Sequence, residues 1–167
     1  MTVMRMDNVG IVVEDIDAAI VFFTELGLDL EGRATVEGDW VDGVTGLRDV
    51  RVEIAMMRTQ DGNGRLELSR FLSPPVVTDH RSAPVNALGY LRVMFTVADI
   101  DDTLVRLGKR GAKLGNVVQY EKMYRLCYIR GPEGILIGLS QQLGQHSSRV
   151  NPMEREQGSS QETLIRP

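Results

Sequence analysis

The sequence has few of the features that mark a secreted or membrane-bound protein. Cys127 is the single cysteine among 167 residues, so no intrachain disulfide can form. No apolar run approaches the roughly 20 residues needed to cross a bilayer, and residues 1–7 lack the apolar segment of a signal peptide. The formal net charge is −4, which disfavours a nucleic acid or a membrane surface as a partner. We therefore expect a cytoplasmic protein with neither partner.

Residues for several common kinds of catalysis are also scarce. The two histidines, His80 and His146, fall outside the strand-like segments. We expect both to be solvated loop residues. No serine–histidine or cysteine–histidine arrangement is visible, and no phosphate loop of the Walker type is present. Cys127 lies in a strand-like segment, so core packing is its expected role.

The main positive feature is an internal repeat. Residues 8–28 align without a gap on residues 92–112, at a constant offset of 84, with seven identities in 21 positions. A second, weaker match aligns Leu68-Ser69 with Leu139-Ser140 at an offset of 71. The repeat predicts two related modules, one at 5–72 and the other at 89–143.

Each copy begins with the pattern of a strand followed by a helix. Apolar residues alternate in Val9–Val13 and again in Leu91–Val97, which is strand periodicity. Asp15 and Asp99 then stand where helix N-caps are expected, ahead of apolar residues at helical spacing. Gly27 and its counterpart Gly111 are expected to end the two helices.

Three shorter strands are predicted after each helix, which makes each module a βαβββ unit. The segment 39–47 is ambiguous and is compatible with a short helix around Trp40. We expect an α+β fold in which both modules form one curved mixed sheet around a concave pocket. Residues 73–88 are a predicted linker rich in Pro, Ser and Asp, and the polar residues 144–167 are a predicted disordered tail. The predicted strands are 33–37, 50–57, 65–71, 115–120, 124–129 and 135–140.

The alternation of side chains predicts which residues share a face of the sheet. If Val9 and Val93 face the helices, their neighbours Asn8 and Arg92 face the other way, towards the concave side. The same alternation is taken to place Glu67 and Gly138 on that side. The ligand-binding residues that we predict on the concave side are Asn8, Glu53, Met57, Tyr90, Arg92, Met94, Tyr124 and Gly138. The competing interpretation is that these are only the polar sides of amphipathic strands.

These segments resemble the vicinal-oxygen-chelate superfamily, also called the glyoxalase/bleomycin resistance protein/dioxygenase family. The resemblance rests on NVGIVVEDIDAAIVFFTELGL, GRLELSRF, VMFTVADIDDTLVRLGKRGA and GPEGILIGLSQ, and covers residues 5–143. It implies the paired βαβββ fold and, by analogy with other members, a homodimer. Members include glyoxalase I, methylmalonyl-CoA epimerase, extradiol dioxygenases, fosfomycin-modifying enzymes and bleomycin-binding proteins.

The metal site that the resemblance implies is mostly replaced in this sequence. Metal-dependent members commonly use a His on the first strand and a Glu on the last strand of each module. The corresponding positions here hold Asn8, Glu67, Arg92 and Gly138, so one ligand of four remains. Because the guanidinium of Arg92 would repel a divalent ion, we expect no metal and no other cofactor.

Three functions stay open at this point. The first is a metal-free small-molecule binding protein, and the second is a metal-independent lyase, isomerase or epimerase. In the second, Glu67 is the catalytic base and Arg92 binds an anionic group. Alternatively, these two residues form a buried structural pair. The third and least favoured function is a metal-dependent dioxygenase or glyoxalase with atypical ligands.

Overall fold

The computed structural model describes residues 5–77, 81–89 and 91–143. His80, His146, Tyr90 and the predicted tail lie outside the described residues. No described helix is long and apolar enough to cross a membrane. In chain order, the elements are β1 (Val9–Val12), α1 (Ile16–Leu26), β2 (Asp29–Glu37), α2 (Asp39–Thr45), β3 (Arg51–Arg58), β4 (Arg65–Ser73), β5 (Val93–Thr96), α3 (Ile100–Gly108), β6 (Lys113–Leu114), β7 (Val118–Tyr120), β8 (Tyr124–Arg130) and β9 (Leu136–Gln142).

The helix boundaries follow from local side-chain chemistry. The Asp15 carboxylate accepts the N–H of Ala18 at the start of α1, and Asp99 caps α3 in the same way. Gly27 ends α1 with a left-handed φ of 114°, a conformation that glycine adopts without a Cβ clash. The caps and the end of α1 are therefore confirmed. The predicted end of α3 is wrong, because this helix stops at Gly108, before the turn that contains Gly111.

The α+β fold with two related modules is confirmed, but the single continuous sheet is not. Hydrogen bonds divide the strands into one sheet per module, in the orders β1-β4-β3-β2 and β5-β9-β8-β6, with β7 paired to β8. Strands β1 and β5 each lie at the edge of their own sheet, and no ladder joins them among the described residues. A repeat of whole modules predicts the content of each sheet but leaves open whether two edge strands pair with each other.

The strand register reproduces the two offsets of the repeat. Strand β1 runs parallel to β4 with Val9 opposite Leu66, and β5 runs parallel to β9 with Val93 opposite Ile137. The residues of the first pair lie 84 and 71 positions before those of the second. The two modules are therefore built alike, residue by residue, at their central strands.

One hydrophobic core joins the two modules beneath their sheets. Buried side chains of α1 and α3 pack with the inward residues of both sheets in a single cluster, which includes Phe22, Phe23, Leu68, Leu107 and Leu139. At the surface, Glu25 of α1 also accepts hydrogen bonds from Arg106 of α3 and from Arg110, which follows that helix. The helices therefore hold the modules together where the sheets are not bonded to each other.

Helix α2 covers part of the other side of the first sheet. Its Val41 is buried in a second, smaller cluster that includes Val52 of β3 and Phe71 of β4. Asp42 fixes the chain after this helix by accepting the N–H groups of Asp49 and Val50. Strand β3 is consequently covered on both of its faces.

Candidate functional site

The face of each sheet that points away from α1 and α3 is called the open face. Leu66 and Leu68 of β4 are buried in the main core, so Glu67 between them lies on the open face. In the second sheet, Ile137 and Leu139 are buried in the same core, which puts Gly138 on the open face. Both placements agree with the alternation predicted from the sequence.

Glu67 is the centre of a small polar group on the open face of module one. It is half-buried and lies opposite Gly10 of β1 and Met56 of β3. Asn8 Nδ2 donates to Glu67 Oε2 at 3.4 Å, and Ser69 Oγ donates to Oε1 at 3.2 Å. Each carboxylate oxygen thus has a donor, and the two donors orient the group.

Two predicted site residues, Glu53 and Met57, lie on the wrong face for this group. The register pairs Met57 with Leu66, and Met57 is fully buried in the main core. Glu53 is on the same side as Met57 and accepts a hydrogen bond from Arg33 at 2.7 Å. The predicted phase of β3 was therefore inverted, and Met56 is the residue that the sequence interpretation missed.

Two arginines on the open face of module one, at the end of β3 and the start of β4, share a carboxylate partner. Arg58 and Arg65 alternate with buried residues and so lie on the open face. Glu31, at a β-bulge of β2, accepts from Arg65 Nε at 2.8 Å and lies 3.9 Å from Arg58. The Arg65 guanidinium lowers the pKa of Glu31. This cluster was also missed by sequence reasoning, because the bulge shifts the alternation along β2.

The open face of module two contains an arginine with an aromatic partner. The guanidinium carbon of Arg92 lies 4.5 Å from the centre of the Tyr128 ring. No described carboxylate forms an ion pair with Arg92, and no described contact joins it to Glu67. The alternative of a buried Arg92–Glu67 pair is therefore wrong for this structure, in which Arg92 is exposed.

Met94 occupies the space above Gly138. These two residues are opposite each other in the β5–β9 ladder. A Cβ added to Gly138 would lie 2.8 Å from Met94 Cε. Tyr124 shares this face of β8 with Tyr128, but four residues away, about 13 Å along the strand. It pairs with Gln142 at the far end of the sheet.

Cys127 belongs to the core, as the sequence predicted. It is 3% exposed, and its thiol donates to the Gly115 carbonyl at 3.3 Å. Burial raises the pKa of this thiol, which keeps it protonated.

The donor set at the four family positions does not fit a divalent metal. Glu67 is the one carboxylate, and its partner Asn8 faces it with a side-chain amide. Arg92 brings a permanent positive charge, and the space beside Gly138 holds a thioether instead of a carboxylate. Among the described residues, no group of three or more His, Cys, Asp or Glu side chains could hold a metal ion.

A separate cavity of about 820 Å³ lies between the modules, and we call it the inter-module cleft. Its walls are the edge of β1, parts of the linker, and the starts of β5 and β9. Leu91 and Val93, the neighbours of Arg92, line it. The charged residues of the lining are Glu14, Arg81 and Glu133. The apolar lining residues are Val9, Ile11, Val12, Val13, Val76, Val77, Ala87, Leu88, Leu91, Val93, Ile135 and Leu136.

Comparisons with known proteins agree with this architecture. Residues 7–128 match the family described as the glyoxalase/bleomycin resistance protein/dioxygenase superfamily. A glyoxalase family protein from Bacillus cereus is 68% identical, with a TM-score of 0.84 over 86% of this chain and 97% of that chain. No curated protein was found to match the sequence.

More distant structures share the fold alone. A domain from Frankia, described as glyoxylase/bleomycin resistance protein/dioxygenase, is 18% identical with a TM-score of 0.58, over 87% of this chain and 96% of that one. A mutant of the fosfomycin resistance protein FosX from Listeria monocytogenes, in complex with Mn(II) and 1S,2S-dihydroxypropylphosphonic acid, is 8% identical with a TM-score of 0.52. That match covers 83% of this chain and 90% of FosX. The present chain belongs to the glyoxalase/bleomycin resistance protein/dioxygenase superfamily.

Proposed function

We propose that this protein binds a small anionic molecule on the open face of module two, without a metal at the family's ligand positions. One observation carries the proposal. Arg92 is stacked on Tyr128 and has no carboxylate partner among the described residues, whereas the two arginines on the open face of module one share Glu31. A positive charge that is positioned but not neutralised is suited to an external anion.

The geometry of Arg92 favours a planar anion. Stacking occupies one face of the guanidinium and stabilises it by about 0.5–1 kcal/mol at an exposed site. The N–H groups at the edge of the guanidinium remain available for the two parallel hydrogen bonds that a carboxylate or phosphate accepts. Met94 and Tyr128, which are 46% and 39% exposed, offer an apolar surface next to it. The expected ligand therefore combines a carboxylate, phosphate or enolate with an apolar body.

A second candidate is a metal-independent lyase, isomerase or epimerase with Glu67 as the general base. The observation that favours it is the orientation of both Glu67 oxygens by Asn8 and Ser69. In this reaction Glu67 would accept a proton from a carbon next to a carbonyl group, and Arg92 would bind the resulting enolate. The proton-transfer function requires one ligand to reach both residues, whereas simple binding requires Arg92 alone.

The test is a calorimetric titration with defined probes in the presence of EDTA. We expect benzoate and phenyl phosphate to bind, and neutral benzamide to bind much more weakly. Replacement Arg92→Ala should weaken benzoate binding by roughly 10- to 100-fold, since a hydrogen bond to a charged group contributes about 1.5–3 kcal/mol. Arg92→Lys should restore part of the loss, because a lysine ammonium lacks the planar fork.

Arg48→Ala is the matched control, because Arg48 is an exposed arginine outside this face. It should leave benzoate binding unchanged. Equal affinity in wild type and Arg92→Ala, or no binding of either anionic probe, would contradict the proposal. Native mass spectrometry of freshly purified protein can then identify the natural ligand that co-purifies. A proton-transfer activity would be detected as exchange of a substrate C–H with solvent deuterium that is lost in Glu67→Gln.

A further inference from the structure

The inter-module cleft exposes one edge of strand β1. In a parallel ladder, the N–H and C=O groups of alternate residues point to the same neighbouring strand. The N–H of Val13 donates to Ser69 of β4 at 3.0 Å, so Val9, Ile11 and Val13 direct their main-chain groups towards β4. The main-chain groups of Gly10 and Val12 therefore point away from β4 and into the cleft.

The end of this same edge already has a partner from the other module. The N–H of Glu14, the next residue in the alternation, donates to the Glu133 carboxylate at 2.7 Å. The N–H of Asp15 donates to the same carboxylate at 2.6 Å. Glu133 thus takes the place that an acceptor on a neighbouring strand would have. Among the described residues, no such partner faces Gly10 or Val12.

The hydrogen-bonding capacity of this edge decides between two kinds of ligand. An alkyl chain in the cleft would be stabilised by each CH₂ group that it buries. It would also bury two N–H and two C=O groups against hydrocarbon, which is unfavourable for each group left without a hydrogen bond. An extended amide chain satisfies the same groups and still places apolar side chains against the Val, Ile and Leu walls. The balance favours the amide.

We propose that the cleft binds a short extended peptide, or a peptide-like amide, that adds as a strand to β1 through Gly10 and Val12. Space for such a chain exists, because the cleft of about 820 Å³ borders this edge of β1. Leu91 and Val93 line the cleft on either side of Arg92 in sequence. Arg92 between them turns to the open face, above Tyr128. Its assignment to the carboxylate end of a ligand that extends from the cleft past the edge of β5 is the part of the inference that rests on the proposed function. Together these contacts define the ligand class as a short apolar peptide with a free carboxylate.

The probe is N-acetyl-Val-Ala-Val, compared with the same peptide carrying N-methyl groups on its amides. Binding should shift the NMR signals of the Gly10 and Val12 amides and slow their hydrogen exchange. N-methylation of the amides that face β1 should weaken binding by tenfold or more, and decanoate should bind more weakly than the peptide. Val12→Pro should weaken binding of the peptide in the same way, because proline removes an N–H that points away from β4. Proline is tolerated on an edge strand. Val12→Ala removes apolar side-chain contact but retains the N–H, so the loss in Val12→Pro should clearly exceed the loss in Val12→Ala.

The two proposals fail in different ways in this experiment. In one outcome, the peptide slows hydrogen exchange of the Gly10 and Val12 amides but binds equally well as the free acid and as the carboxamide. This result supports binding in the cleft and contradicts the role of Arg92. A peptide whose binding depends on Arg92 but leaves both amides unchanged overturns the strand addition and leaves the anion site. Equal binding of the methylated and unmethylated peptides also overturns it, even if Val12→Pro does not fold. No binding of the probe at millimolar concentration overturns the cleft proposal outright.

Discussion

The two modules differ at their open faces by an exchange of large and small side chains. In module one a glycine on the first strand, Gly10, lies opposite Glu67 on the last. In module two the large residue is on the first strand, as Met94, and the glycine is on the last, as Gly138. In each pair one residue is a glycine, and the side chain of the other residue occupies the space on the open face. The loss of the second acidic ligand is thus accompanied by a thioether in the space that its side chain would need.

This packing leads to a prediction about two glycines. Gly138→Ala should cost less than about 1 kcal/mol of unfolding free energy, because the atom in the way is the mobile end of Met94. Gly115→Ala should cost about 1–3 kcal/mol, because its Cβ would overlap the main-chain oxygen of Tyr128, which cannot rotate aside. Urea unfolding of both variants measures the difference. Equal losses would mean that Met94 is held as rigidly as the backbone.

At the level of secondary-structure elements, sequence patterns predicted the features that depend on the chemistry of a few neighbouring residues. The caps Asp15 and Asp99 were identified because each depends on a few adjacent residues. The phase of β3 was not predictable in this way. Its sequence has apolar residues at both alternations, since one face packs on the main core and the other lies beneath α2. A sequence without knowledge of α2 gives no reason to expect two buried faces.

Helix α3 is joined to β8 by an ion pair that has a consequence for acid stability. Arg125 bonds both oxygens of Asp101, at 2.7 and 2.8 Å, and lowers the pKa of Asp101 below its ordinary 3.8. A lowered pKa in the folded state stabilises the protein above the unfolded pKa, and this stabilisation is lost as the pH falls through the folded value. Arg125→Gln should therefore return the pKa of Asp101 towards 3.8.

An NMR titration of the side-chain carboxyl signals measures this shift. Arg33→Gln is the matched control, because Arg33 bonds Asp17, the counterpart of Asp101 in the other module. It should leave the titration of Asp101 unchanged. An Asp101 pKa that is the same in wild type and Arg125→Gln would show that the ion pair is not maintained in solution.

At the scale of the whole molecule, the repeat predicted two modules but not how they meet. The residues that are identical in the two copies of the repeat indicate contacts within a module, because both modules are under the same physical constraints there. The cleft lies between β1 and β5, and its walls come partly from the linker, which has no counterpart in the repeat. The homodimer stays a prediction. The nine-residue edge strand β2, exposed along nearly its whole length, is a surface that a second copy could cover.

We propose that this chain keeps the family's fold while an anion site replaces the family's metal site. The most direct measurement is a calorimetric titration of EDTA-treated protein with Mn²⁺ and with Zn²⁺, for wild type and Glu67→Ala. We expect no binding that depends on Glu67, because one carboxylate beside an amide, a guanidinium and a thioether does not make a metal site. One equivalent of either metal bound by the wild type and lost in Glu67→Ala would mean that the metal site is retained.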